Sequence, residues 1–298
     1  MTIYAANLSA STPAAAQQSA TAILDAGFGG IVLRSPVQHE AWDALRKLLP
    51  KDSVKAIELF LPSPRSLRPG ESASFCAGAE NKTERSENLA QARKTLEAAD
   101  QLGIPLVLVP MTRLNIAGLG RSYLEPTASP EQEQLSFRAE GGELRARMDS
   151  LLALLSFLLE QAERYATTIC LTPGNRPGEL PMISETLACL KEFEGAPMGL
   201  WLDTRRLPAE LLAVPAIGRS ATAAGPDLLS RLQGASIADE TTEGVACNPG
   251  QGVVPWDQVA SSIRKLPLLS IEGDLEEGSR FLADLEEEGA SPSGLFDA

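Results

Sequence analysis

The chain has 298 residues, 44% of them hydrophobic, which is enough to bury one large α/β core. Its 26 Lys and Arg stand against 39 Asp and Glu, and the net charge of -13 repels phosphate backbones and acidic membrane surfaces, so nucleic acid is set aside as a partner. No apolar run approaches the ~20 residues that span a bilayer, no basic segment precedes an apolar one at Met1, and the four cysteines form no CxxC pair; the expectation is a soluble cytoplasmic protein with free thiols and no membrane partner.

Strands and helices alternate along the chain. Residues 2–7 read as a short first strand, and Ser11-Thr12-Pro13 opens a helix through the Ala-rich run to Ala26. A second strand, Ile31 to Arg34, precedes a helix with Trp42, Leu45, Leu48 and Leu49 at helical spacing. Val54 to Leu61 is the third strand, with Glu58 embedded among Ile57, Leu59 and Phe60. A polar, Pro/Ser-rich stretch at 62–82 is too long for an ordinary connection and reads as a functional loop or a mobile one. The helix from Glu84 to Gly103 leads into a continuous apolar strand, Pro105 to Pro110. A second long loop at 111–140 carries Arg113, Arg121 and Arg138 between Gly and Pro breakers. A long helix through Leu151, Leu155 and Leu159 follows, then a fifth strand, Thr167 to Leu171, ending at Thr172-Pro173-Gly174-Asn175.

The helix from Ile183 to Phe193 returns the chain to its most informative segment. Met198 to Leu202 runs apolar without a break, as a strand buried on both faces does, and ends on Asp203 followed by Arg205 and Arg206. Charge appears where the strand stops. In a parallel α/β architecture that is the carboxyl end, where sites are built. Two short helical pieces, near Leu211 and from Pro226 to Leu232, precede a weak seventh strand, Ala235 to Asp239. Gly250 to Gly252 is a turn, Trp256 to Leu266 a helix, Leu268 to Glu272 the eighth strand, and Leu275 to Glu288 an acidic closing helix. Eight strands, each followed by helical sequence, predict a single (β/α)8 TIM barrel over residues 1–298. A doubly wound open sheet is the alternative, but the first turn, Asn7 to Pro13, holds no glycine and offers no phosphate loop.

From about residue 84 to 288 the chain resembles the xylose isomerase-like TIM barrels, the group that includes sugar phosphate isomerases, epimerases and endonuclease IV relatives. The resemblance lies in Ala98 to Val109, in Gly199-Leu200-Trp201-Leu202-Asp203, in Ala235 to Asp239, in Gly250 to Trp256, and in Ile271-Glu272, taken in that order. It implies a divalent metal held by Glu, Asp, His and Glu at successive strand ends, with the two glutamates as proton shuttles. Asp203 and Glu272 match that pattern; the first Glu falls on Thr172 or Pro173, one His on Arg206 and the other on Ser236. His39 is the chain's one histidine, so a multi-imidazole zinc site is excluded and no cofactor is expected, although a carboxylate-held Mg²⁺ or Mn²⁺ stays open.

The resulting candidates are Glu58, Asp203 and Glu272 for catalysis, and Arg34, Arg113, Asn175, Arg205, Arg206, Asp239 and Trp256 for binding a small carbohydrate-type ligand. Arg34, Glu58, Asp203, Asp239 and Glu272 are expected at one mouth of the barrel, with Arg206 between Asp203 and Glu272 supplying the charge that a metal supplies elsewhere. The function implied is a diverged sugar or sugar phosphate isomerase or epimerase. The alternative is a non-catalytic ligand- or partner-binding barrel that has lost its metal site, and a nuclease of the same fold ranks last.

Overall fold

The computed structural model describes residues 2–9, 12–34, 39–50, 52–59, 82–110, 112–113, 142–174, 179–206, 231–242 and 244–290. Eight parallel strands close a barrel: β1 (Ile3–Leu8), β2 (Gly30–Leu33), β3 (Val54–Glu58), β4 (Leu106–Val109), β5 (Thr168–Leu171), β6 (Met198–Asp203), β7 (Leu232–Ile237) and β8 (Leu268–Ile271). Each strand pairs with its sequence neighbours, and β8 returns to β1 with Ile3 opposite Leu268. The helices are α1 (Pro13–Asp25), α2 (His39–Leu48), α3 (Lys82–Leu102), α4 (Gly142–Tyr165), α5 (Ile183–Glu192), α6 (Trp256–Ile263) and α7 (Leu275–Ala290). The α1 start follows its sequence: Thr12 caps the helix by accepting from the Ala15 N–H, and Pro13 sits at the first position, where its missing N–H costs nothing.

Side-chain alternation along each strand produces two apolar layers. Residues such as Leu33, Val109, Leu200, Leu202 and Ile271 face the helices and join the main core. Their neighbours Ala5, Val32, Ala56, Leu106, Leu108, Cys170, Trp201 and Leu268 fill the barrel interior. Trp201 is fully buried there, and its ring fits because Gly234 on β7 has no side chain; a Cβ at that position would lie 2.5 Å from Trp201 Cζ3. Continuing the inward rows by two residues reaches Asn7, Arg34, Glu58 and Asp203; Ser236 lies two beyond Gly234, and Glu272 four beyond Leu268. The interior is therefore apolar at its waist and polar at the carboxyl ends of the strands.

Three local differences from the sequence reading have physical causes. Leu232, expected to end a helical piece, opens β7, because it pairs with Leu200 and starts a parallel ladder with β6 whose register shifts once, between Leu200 and Trp201. The pieces near Leu211 and before Leu232 lie outside the described residues, as do most of the two long loops. Thr112–Arg113, assigned to a loop, pairs antiparallel with Glu179–Leu180, clasping the connections after β4 and β5 together. Asp239–Glu240 likewise pairs with Ala246–Cys247 in the connection after β7.

Candidate functional site

The carboxyl end of β6 is the organising element. Asp203 Oδ1 accepts the backbone N–H of Arg205 at 3.1 Å, an Asx turn that converts the strand end into the 3-10 turn Thr204–Arg206. Thr204 pins that turn to the end of β7: its hydroxyl accepts from the Ala238 N–H at 2.9 Å and donates to the Ala238 carbonyl at 2.5 Å. The turn directs the Arg205 side chain back over Asp203 and across to Glu272, which follows β8.

The Arg205 guanidinium is forked on both carboxylates. Its Nε donates to Asp203 Oδ1 at 3.0 Å and Nη2 to Oδ2 at 2.8 Å; Nη1 donates to Glu272 Oε1 and Nη2 to Oε2, each at 3.0 Å. All four carboxylate oxygens are thus engaged by one cation, with the bidentate geometry that makes Arg–carboxylate pairs strong. Burial opposes the Arg205 charge, but the hydrogen bonds and charge of Asp203, followed by those of Glu272, outweigh it and raise the guanidinium pKa above its ordinary value. Arg205 is a permanent cation at the centre of the mouth. Asn7 supports the arrangement, accepting from Ser270 Oγ at 2.6 Å and directing its own amide toward Glu272 Oε2 at 3.5 Å.

A second guanidinium lies beside the first. Arg34 follows β2, yet its Nη1 reaches Ser236 Oγ on β7 at 3.3 Å, so the side chain crosses the interior rather than following the wall. Trp201 Nε1 donates to the same Ser236 oxygen at 2.9 Å from below. Arg34 Nε meets Glu58 Oε2 at 3.0 Å, and Glu58 is nearly buried. Arg34, Glu58, Asp203, Arg205 and Glu272 therefore form a polar floor directly above the apolar interior.

Asp239 is committed elsewhere. Fully buried, it accepts from the backbone N–H groups of Glu240, Gly250, Gly252 and Val254 and from Trp256 Nε1, all between 2.9 and 3.1 Å. Three residues beyond inward-facing Ser236, it has the opposite parity, so it organises the connection between β7 and α6 instead of facing the mouth. Gly252 is required there, because a Cβ would collide with the Asp239 carboxylate and the Glu240 carbonyl. Trp256, expected to meet a ligand, spends its one polar hydrogen on Asp239 and packs edge-on against Phe281 with ring centroids 4.7 Å apart.

Arg205 makes the described contact with Asp203 and Glu272; Arg206, expected in that place, closes the 3-10 turn, and its side chain lies outside the described residues. The backbone of Arg113 is held in the clasp opposite Glu179, but its side chain, and Asn175 altogether, lie outside them too. Sequence reasoning missed Asn7, Trp201 and Ser270 as parts of the site. Strand alternation was the signal available, since each shares inward parity with an interior or mouth residue.

The donor set does not fit the divalent ion that the resemblance implies. Asp203 and Glu272 already hold a cation, while Thr172 and Ser236 bring hydroxyls where a carboxylate and an imidazole are called for. Among the described residues, no group of three His, Cys, Asp or Glu is placed to hold a metal. Nor, among them, is any helix long and apolar enough to cross a membrane.

Comparison with known proteins agrees with this geometry at the level of the fold. A family model described as xylose isomerase-like TIM barrel matches residues 20–285. Among solved structures, 3-keto-D-glucoside 4-epimerase from E. coli is 17% identical with a TM-score of 0.61, over 96% of this chain and 100% of that one. A D-tagatose 3-epimerase-like protein is 16% identical with a TM-score of 0.63, over 97% and 100%. The IolI protein with a bound zinc atom is 14% identical with a TM-score of 0.54, over 96% and 98%. At these identities the likeness is one of fold. No curated protein matches significantly.

Proposed function

We propose, from the premise that the chain belongs to the xylose isomerase-like TIM barrel family, that its barrel mouth binds a small polyhydroxylated, carbohydrate-type ligand at a centre whose cation is Arg205 instead of a metal ion. One observation carries this reading: the doubly forked contact of Arg205 with Asp203 and Glu272. Support for the ligand class comes from the polar floor and from two fold neighbours, a 3-keto-D-glucoside 4-epimerase and a D-tagatose 3-epimerase-like protein. Glu272 is the accessible acceptor, with 36% of its side chain exposed, and Arg34 is the accessible donor at 20%. Vicinal hydroxyls both donate and accept, so a sugar bridges such a pair in a way that an apolar ligand cannot.

Binding without turnover is the better-supported role. A proton shuttle needs a carboxylate free to take and return a proton, and Asp203 and Glu272 are both hydrogen-bonded by Arg205. The second reading, a metal-independent isomerase or epimerase, is favoured by Glu58, which faces the mouth from β3 on the other side of Arg34 from Ser236. The test is calorimetry against a panel of aldoses, ketoses and polyols, in EDTA and then in Mn²⁺. The expected result is a ligand whose affinity is the same in both. Binding that disappears in EDTA and returns with Mn²⁺ would overturn the proposal. Running the same panel in D₂O separates the two readings, since a shuttle exchanges a carbon-bound hydrogen of its substrate for deuterium and a binder does not.

A further inference from the structure

We infer that the ligand carries an anionic oxygen group, a carboxylate or a phosphate, seated on the open edge of Arg34; this rests on the proposed function and names its substrate class. Among the described residues, Arg34 commits its Nε to Glu58 and one Nη1 hydrogen to Ser236. A guanidinium has three further N–H hydrogens, one on Nη1 and two on Nη2, and a neighbouring pair of N–H groups forms the fork that receives two oxygens of a planar or tetrahedral anion.

Three observations hold that fork toward the mouth. The side chain is partly exposed at 20%, whereas Glu58 beneath it is 8% exposed. Ser236 is fully buried and its oxygen takes N–H groups from both Trp201 and Arg34, which fixes the guanidinium over the barrel interior. Glu58 takes the Nε side, leaving the outer edge as the ligand-facing one. Arg205, by contrast, has both of its forks spent on protein carboxylates.

The exposed carboxylate of the mouth sets the ligand's orientation. Glu272 repels a second anion and accepts hydroxyl hydrogens, and the strand end that carries it is on the far side of β1 from the one that carries Arg34. A ligand with an anionic group at one end and hydroxyls at the other lies across Asn7 in a single direction. A neutral sugar lacks that preference, and a dianionic one places a charge against Glu272.

The test compares D-gluconate, D-glucose 6-phosphate and D-glucitol by calorimetry at low salt, with the parent, Arg34→Gln, and the double variant Arg34→Gln/Glu58→Gln. The double variant leaves no unpaired carboxylate, so it answers the question if Arg34→Gln alone fails to fold. At least one anionic probe should bind the parent about tenfold or more tightly than D-glucitol, with that preference reduced by added salt and abolished in the variants. Preference for gluconate identifies a carboxylate, and preference for the phosphate ester identifies a phosphate. Binding of D-glucitol as tightly as both anions, or a preference that survives in the double variant, overturns the inference while leaving the proposed function standing. No binding of any probe, in contrast to a sugar that does bind in the broader panel, also overturns it; no binding in either panel removes both.

Discussion

Replacing Arg205 by Ala takes one cation from between two carboxylates, and the two halves of the contact carry different weights. On the Asp203 side both partners are buried, with side chains 13% and 5% exposed, and removing one partner of a buried ion pair costs about 3 kcal/mol or more. On the Glu272 side the carboxylate is 36% exposed, water takes over much of the lost interaction, and the contribution is about 1 kcal/mol or less. The expected loss is therefore roughly 3–4 kcal/mol, a large part of the roughly 5–15 kcal/mol that holds a domain folded. Urea denaturation followed by tryptophan fluorescence measures it. Arg206→Ala is the comparison, since the described hydrogen bonds to Asp203 and Glu272 come from Arg205, and it should cost less than about 0.5 kcal/mol. The triple change Arg205→Met/Asp203→Asn/Glu272→Gln should recover most of the loss, because it leaves no buried charge without a counter-charge. A loss below about 1 kcal/mol in Arg205→Ala, or an equal loss in Arg206→Ala, would refute the assignment of the central cation.

Two further expectations test the surrounding structure. Asp239→Ala strips an acceptor from five donors and should cost about 3–5 kcal/mol, with Trp256 emission shifting to the red as its connection loosens; an unshifted spectrum at parental stability would contradict the account of that carboxylate. Burial, and then the Glu286 carboxylate, push the Tyr4 phenol up from 10.0 to about 12. The folded state holds that proton more tightly than the unfolded one, so the contribution is whole below about pH 10 and is lost as pH rises toward 12. Tyr4→Phe should flatten the stability profile across that window, and identical parent and variant slopes there would count against it.

The barrel was legible in the sequence because strands covered on both faces are written as unbroken apolar runs, as in Leu106 to Val109 and Met198 to Leu202. Strand ends then marked the floor of the mouth at Arg34, Glu58, Asp203 and Glu272. The doubly forked contact of Arg205 was not legible. Consecutive residues of a 3-10 turn point about 120° apart, and the turn itself depends on the Asx bond from Asp203 and the Thr204 pin to β7, a segment distant in sequence. Counting positions from the resembled family pointed to Arg206, whose side chain lies outside the described residues, while the described turn brings Arg205 onto both carboxylates. Asp239 shows the same gap: it sits at a strand end, but the N–H groups of Gly250, Gly252 and Val254 turn it away from the mouth. Thr112–Arg113 is too short a pair to carry any periodicity.

The central cation of this mouth is tethered, and that changes when and where the site is complete. A metal centre fills in proportion to the free ion around it, so its occupancy follows supply, competing chelators and the history of the molecule. The Arg205 cation is delivered by the same chain that carries Asp203 and Glu272, at an effective concentration fixed by a turn of a few residues. Every folded copy holds it, and no chelator removes it. In the proposed function, an incoming ligand therefore finds no exchangeable metal-bound water to displace, and meets a hydrogen-bonded plate whose composition folding alone determines.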